Sequence, residues 1–157
     1  MTAPHVVPDG TTTAEELGVL VKQTQSVLHQ RMDDALRPFA LRVPQYACLQ
    51  ALADDPGSTG SELARRAFVS RQSMNVLLQG LEGRGLVERS ADPGPRRERT
   101  TTLTPQGRDV VDRARGAVAE VADAMVAPLS PADRPRLRAL LVTCRDALLA
   151  GEGSAGG

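Results

Sequence analysis

Apolar residues recur along this chain at helical spacing in three long blocks, and three short helical blocks and two strand-like stretches lie between the first and second. In the first block, residues 13–37, Leu17, Leu20, Val21, Val27, Leu28, Met32 and Leu36 fall largely at three- and four-residue intervals with polar side chains between them, the pattern of an amphipathic helix. Thr13, followed three residues on by Glu16, offers a capping box at its start. A helix of about 25 residues spans roughly 37 Å, which is longer than a small domain needs, so a second surface is expected to lie on it.

Pro38 and Pro44 bracket a turn, and residues 45–53 (QYACLQALA) predict a short apolar helix stopped by Asp54-Asp55-Pro56-Gly57. Thr59 with Glu62 makes a second capping box for a helix over residues 60–67. Ala67-Phe68-Val69 leads to Ser70, an N-cap for a helix over residues 71–83. Two short helices joined by three or four residues, the second longer and polar at its front, form the helix-turn-helix pattern. Gly85 closes the second helix, and Leu86-Val87-Glu88-Arg89 alternates as a strand. After a Pro/Gly loop, the Thr-rich residues 96–103 predict a returning strand, giving a hairpin with a basic arm. Thr104-Pro105 opens a helix to about Ala127, and Ser130-Pro131 opens a last one ending near Ala150, which Pro135 delays by a turn or tightens at its start. The predicted fold is mainly α with a small two-stranded β wing. A winged helix-turn-helix unit at residues 38–104 is flanked by long helices at 13–37 and 105–150, with flexible tails at 1–12 and 151–157.

With 157 residues, two Phe, one Tyr and no Trp, the chain suits one aliphatic core plus an oligomerisation element. Formal charge is zero, so any basic footprint must be local. Residues 57–104 hold eight arginines against five acids, a net +3 in a neutral protein. Cys48 and Cys144 lack CxxC spacing and are expected to be core thiols. There is no signal-like leader and no apolar run of 18 residues, so a cytoplasmic protein is expected.

If Met74, Leu77, Leu78 and Leu81 face the domain, then Arg71, Gln72, Ser73, Asn75 and Gln79, with Ser70 at the cap, are turned outward. An α-helix fits the DNA major groove, where Gln and Asn pair with adenine and Arg with guanine. The competing reading is a solvated polar face. Arg96, Arg97 and Arg99 cluster on the wing, where they suit a minor groove or phosphates; the competing reading is an edge hairpin charged against aggregation.

Residues 62–111 (ELARRAFVSRQSMNVLLQGLEGRGLVERSADPGPRRERTTTLTPQGRDVV) resemble the winged helix-turn-helix of MarR-type transcriptional regulators. The match rests on Glu62-Leu63-Ala64, Leu81-Glu82, Gly85 to Arg89, the wing arginine pair and Leu103-Thr104-Pro105-Gln106-Gly107, and the flanking helices extend it over residues 13–150. The resemblance implies a homodimer built from the first and the last two helices, two recognition helices on a pseudo-palindromic duplex, base contacts by Gln72, Ser73 and Asn75, and a groove contact by Arg97. It also implies repression relieved by a small, often phenolic, ligand. His29, Met32, Gln45 and Tyr46 lie on the elements that would line such a pocket, although a His on an apolar helix also serves as a structural residue. Two positions depart from the family: Pro95 replaces the wing Asp, and Val76 stands where an arginine is common. A thiol switch at Cys48 or Cys144, and a winged-helix module for protein or RNA, remain alternatives. No P-loop, HExxH or nucleophile elbow occurs, so neither enzymatic activity nor a cofactor or metal is expected.

Overall fold

The computed structural model describes residues 12–92 and 98–152. Six α-helices and three short strands follow the order α1 (Ala14–Leu36), α2 (Val43–Asp54), β1 (Ser58–Thr59), α3 (Gly60–Ala67), α4 (Arg71–Gly83), β2 (Val87–Arg89), β3 (Thr100–Leu103), α5 (Pro105–Val126) and α6 (Asp133–Glu152). Both anticipated capping boxes form: the Thr13 hydroxyl accepts the Glu16 N–H at 3.1 Å and the Thr59 hydroxyl accepts that of Glu62 at 3.2 Å.

The boundaries differ from expectation where proline is involved. Pro38 lies in a 3₁₀ turn, Arg37–Phe39, and Pro44 sits inside the first turn of α2, where its missing N–H has no helical partner to lose. The delay expected of Pro135 is seen: α6 begins at Asp133, three residues after Ser130, with Pro135 in its first turn. The wing sheet has three strands, in the order β1-β3-β2, instead of the two predicted. β1 is only two residues long and immediately precedes a helix, so no alternation announces it; Ser58 pairs with Thr101 and Thr59 with Thr100. On the other side of β3, Val87 pairs with Leu103 and Arg89 with Thr101. The returning strand starts at Thr100, and residues 93–97, with Pro95, Arg96 and Arg97, fall outside the described residues, as do most of the two expected tails.

The core gathers Leu36 from α1, Leu49 and Leu52 from α2, Leu63 from α3, Met74, Leu78 and Leu81 from α4, Leu86 and Val87 at β2, and Val111 and Ala114 from α5. Burying each such Leu contributes about 2 kcal/mol. Two glycines fix how the wing meets the long helix. Gly85 takes φ 72°, a left-handed turn that ends α4 and lets Leu86 N–H reach Leu81 O at 3.0 Å. At Gly107 an added Cβ would land on the Leu86 carbonyl, so α5 sits directly on the backbone leading into β2.

α1 lies along α5, whereas among the described residues no other element packs extensively on α6. Leu137, Leu140, Leu141 and Leu148 fall on one stripe of α6, and all are exposed; so are Leu17, Leu20 and Val21 on α1.

Gly107→Ala is expected to destabilise the fold by about 3 kcal/mol, because backbone must move to admit the methyl group. Chemical denaturation of the two proteins checks this.

Candidate nucleic-acid interface

α4 is built with one ridge for the core and one for solvent. Met74, Leu78 and Leu81, at i, i+4 and i+7, are buried, with Leu77 half-buried beside them. Gln72, Val76 and Gln79 repeat the same spacing on the opposite side and are exposed, as are Arg71 and Ser73. Beyond them Gly80 and Gly83 leave the helix bare, since a Cβ at either would meet nothing within 4 Å. Ser70 caps the helix, its hydroxyl accepting the Ser73 N–H at 3.1 Å and donating to Ser73 Oγ at 2.9 Å. The outward ridge therefore offers two amides that donate and accept, separated by a valine suited to a thymine methyl group.

The wing base folds against this helix through contacts not anticipated from sequence. Arg89 Nη2 donates to Asn75 Oδ1 at 3.2 Å. Arg99, expected on DNA, directs its guanidinium to the end of β2, with Nε donating to Ser90 O at 2.6 Å and Nη2 to Arg89 O at 3.3 Å. The Ser61 hydroxyl donates to Glu98 and holds that carboxyl below the usual carboxylate range. Gly60, Ser61, Arg71, Asn75, Arg89, Glu98 and Arg99 surround a polar recess of about 250 Å³. In sequence, Ser61 and Glu98 are 37 positions apart, and no local pattern links them.

The four candidate ligand residues lie around the junction of α1 and α2. His29 Nε2 is 3.4 Å from Asp33, whose other oxygen accepts the Val43 N–H at 2.8 Å and so ties α1 to the start of α2. Gln45 Oε1 accepts the Arg42 N–H at 2.9 Å. Tyr46 is buried, which pushes its hydroxyl above the ordinary phenol range against the opposing pull of Arg115. Met32 is half-buried. None of the four lines the cavity of about 380 Å³ between α1 and α5, or that of about 530 Å³ among α2, α3 and α4.

Cys48 is buried as expected, and burial pushes its thiol up to about 11. Cys144, expected in the core, is exposed, because α6 has no extensive packing within the chain.

A family model described as the MarR family matches residues 41–98. The transcriptional repressor Rv2887 of Mycobacterium tuberculosis is 41% identical over 110 residues, spanning 70% of this chain and 78% of that protein. The chain belongs to the MarR family. Solved MarR-family structures superpose on it: Rv2887 in complex with DNA has a TM-score of 0.66 at 32% identity, covering 82% of this chain and 96% of that one. Its complex with salicylic acid has a TM-score of 0.64 at 34% identity, covering 82% and 95%. The repressor CouR, bound to a 23-mer DNA duplex, has a TM-score of 0.77 at 30% identity, covering 84% and 94%.

The raised Cys48 value makes a thiol switch there chemically unfavourable, since the thiolate is the reactive form. Near neutral pH, iodoacetamide is expected to leave Cys48 unmodified until the protein is unfolded, as mass spectrometry would record. A folded-state value above the unfolded one stabilises the fold at lower pH. That contribution is expected to fade between about 8.5 and about 11, and Cys48→Ala should lose less stability over that window.

Proposed function

We propose that this MarR-family regulator acts in the cytoplasm as a homodimeric repressor that sets two α4 helices in the major grooves of a pseudo-palindromic duplex and leaves the DNA when a small aromatic acid binds. The observation that carries the reading is the outward ridge of α4. Gln72 and Gln79 make no side-chain hydrogen bond among the described residues, and they stand on a helix whose other ridge is fully used by the core. Such a helix keeps its hydrogen-bonding capacity for an external partner, and the base edges of a major groove match it. Arg71 at its front and the wing Arg96 and Arg97 are assigned to phosphates and the minor groove.

The dimer reading draws on α1 and α6. α1 and α6 each keep an exposed apolar stripe that nothing among the described residues covers, and a second copy would bury both at once. The effector reading draws on Rv2887, whose structures were solved with DNA and with salicylic acid. We assign His29, Met32, Gln45 and Tyr46, at the junction of α1 and α2, to the effector's surroundings. Release then follows from linkage: an effector that favours a lobe spacing unsuited to DNA lowers DNA affinity by its differential binding to the two states.

A quantitative gel shift on duplex from upstream of the gene against random duplex, at two salt concentrations, tests this reading. The upstream duplex should be preferred, and the preference should survive the higher salt. Gln72→Ala is expected to relax preference at one base position by roughly 1–3 kcal/mol. Arg97→Ala is expected to weaken all duplexes alike and reduce the salt slope by about one. Equal losses on both duplexes for Gln72→Ala would contradict base reading. For the dimer, light scattering should give twice the chain mass for the wild type and the chain mass for Leu141→Glu; a monomeric wild type would refute it.

A further inference from the structure

The carboxamide of Asn75 is oriented by a neighbour that can only donate. Arg89 reaches it from β2 with Nη2 at 3.2 Å, and a guanidinium has no acceptor, so the end of the amide facing it must be the oxygen. The same oxygen is turned towards α3, where it would lie 3.5 Å from a Cβ at Gly60. A Cβ there would be in ordinary van der Waals contact with it. Among the described residues the Asn75 NH2 group donates to nothing, and the residue is exposed. With its oxygen turned towards Arg89 and α3, Asn75 leads with its donor towards an approaching base.

Bidentate pairing of asparagine with adenine requires the oxygen to accept from N6 while the nitrogen donates to N7. The bond from Arg89 takes one of the two lone pairs of the Asn75 oxygen and holds that oxygen on the side of β2 and α3, which disfavours the first half of that pair. Guanine shows two neighbouring acceptors in the major groove and thymine shows O4, whereas cytosine shows a donor. We propose that Arg89 is a positioning residue that sets the base preference of Asn75, turning its NH2 group outward and so tilting it towards guanine or thymine and away from the adenine pairing usual for asparagine. This rests on the reading that α4 enters the major groove. It also gives β2 a part in sequence reading that does not depend on direct contact with a base.

Selection of bound sequences from random duplex DNA by the full-length protein tests the proposal, with Asn75→Ala marking the base position concerned by levelling it. The wild type should prefer guanine or thymine there. In Arg89→Met, which keeps the stem and loses the donors, adenine should rise at that position by roughly tenfold relative to the wild type, with the rest of the site unchanged. Asn75→Asp keeps the shape and the bond to Arg89 but presents an acceptor in place of the NH2, so its preference should move to cytosine or adenine; this variant decides the matter if Arg89→Met fails to fold. An Arg89→Met profile identical to the wild type with uniformly weaker binding would overturn the proposal and leave Arg89 as a structural or phosphate contact. So would wild-type preference for adenine at the marked position. A wild type that enriches no sequence at all would overturn the DNA reading itself.

Discussion

The placement of α4 relative to the long helices depends on one contact between backbones, the seat of α5 on Leu86. Gly107 is there because no Cβ fits between the helix and the Leu86 carbonyl. Thr104 secures the seat from both sides: its hydroxyl accepts the Gly107 N–H at 3.0 Å and donates to Gly85 O at 2.6 Å, while its own N–H reaches Leu86 O at 3.1 Å. Gly85, in turn, holds the left-handed turn that ends α4. The end of the recognition helix, the entry to the wing and the first turn of α5 are therefore one rigid joint. The sequence Leu103-Thr104-Pro105-Gln106-Gly107 encodes it, with Pro105 at the helix start where no N–H is needed.

The arginines of the DNA-binding lobe divide between holding the lobe together and facing outward. Arg84 donates to Ala40 O at 2.7 Å, Arg99 to the carbonyls of Ser90 and Arg89, Arg89 to Asn75, and Arg66 to Asp55 at 2.6 Å. The last is a surface pair, worth less than about 1 kcal/mol. Those made to carbonyls keep the charge while committing the donors, so fewer guanidinium forks are open to a phosphate than the lobe has arginines. Arg65 and Arg71 are exposed, and Glu98, held by Ser61 of α3, sits close enough to both to be pulled further towards its ionised form.

What could be read from the sequence was whatever is local. Capping boxes act over three residues, the helical ridges of α4 repeat over three and four, and Gly85 and Pro105 declare their backbone demands on their own. These signals placed all six helices and two of the three strands. The third strand, two residues long, lacks the length for a periodic signal. The contacts of Ser61 with Glu98 and of Arg89 with Asn75 join residues from different elements, and both arginine and glutamate have many equally good partners when only the order of residues is known. Cys144 was misread for a related reason: an apolar helical stripe states that something covers it, without stating that the cover comes from the same chain. Membership of the MarR family was legible because the turn glycines and the α5 seat are backbone necessities of this fold.

The seat at Leu86 also makes α5 a lever. Its 22 residues form a rod of about 33 Å, rigidly jointed to the recognition helix at one end and lying against α1 along its length. A tilt of about 5° moves the far end of such a rod by about 3 Å, close to the rise of one base pair, about 3.4 Å. A shift of that size at the far end of α5 thus turns the joint, and α4 with it, through only about 5°.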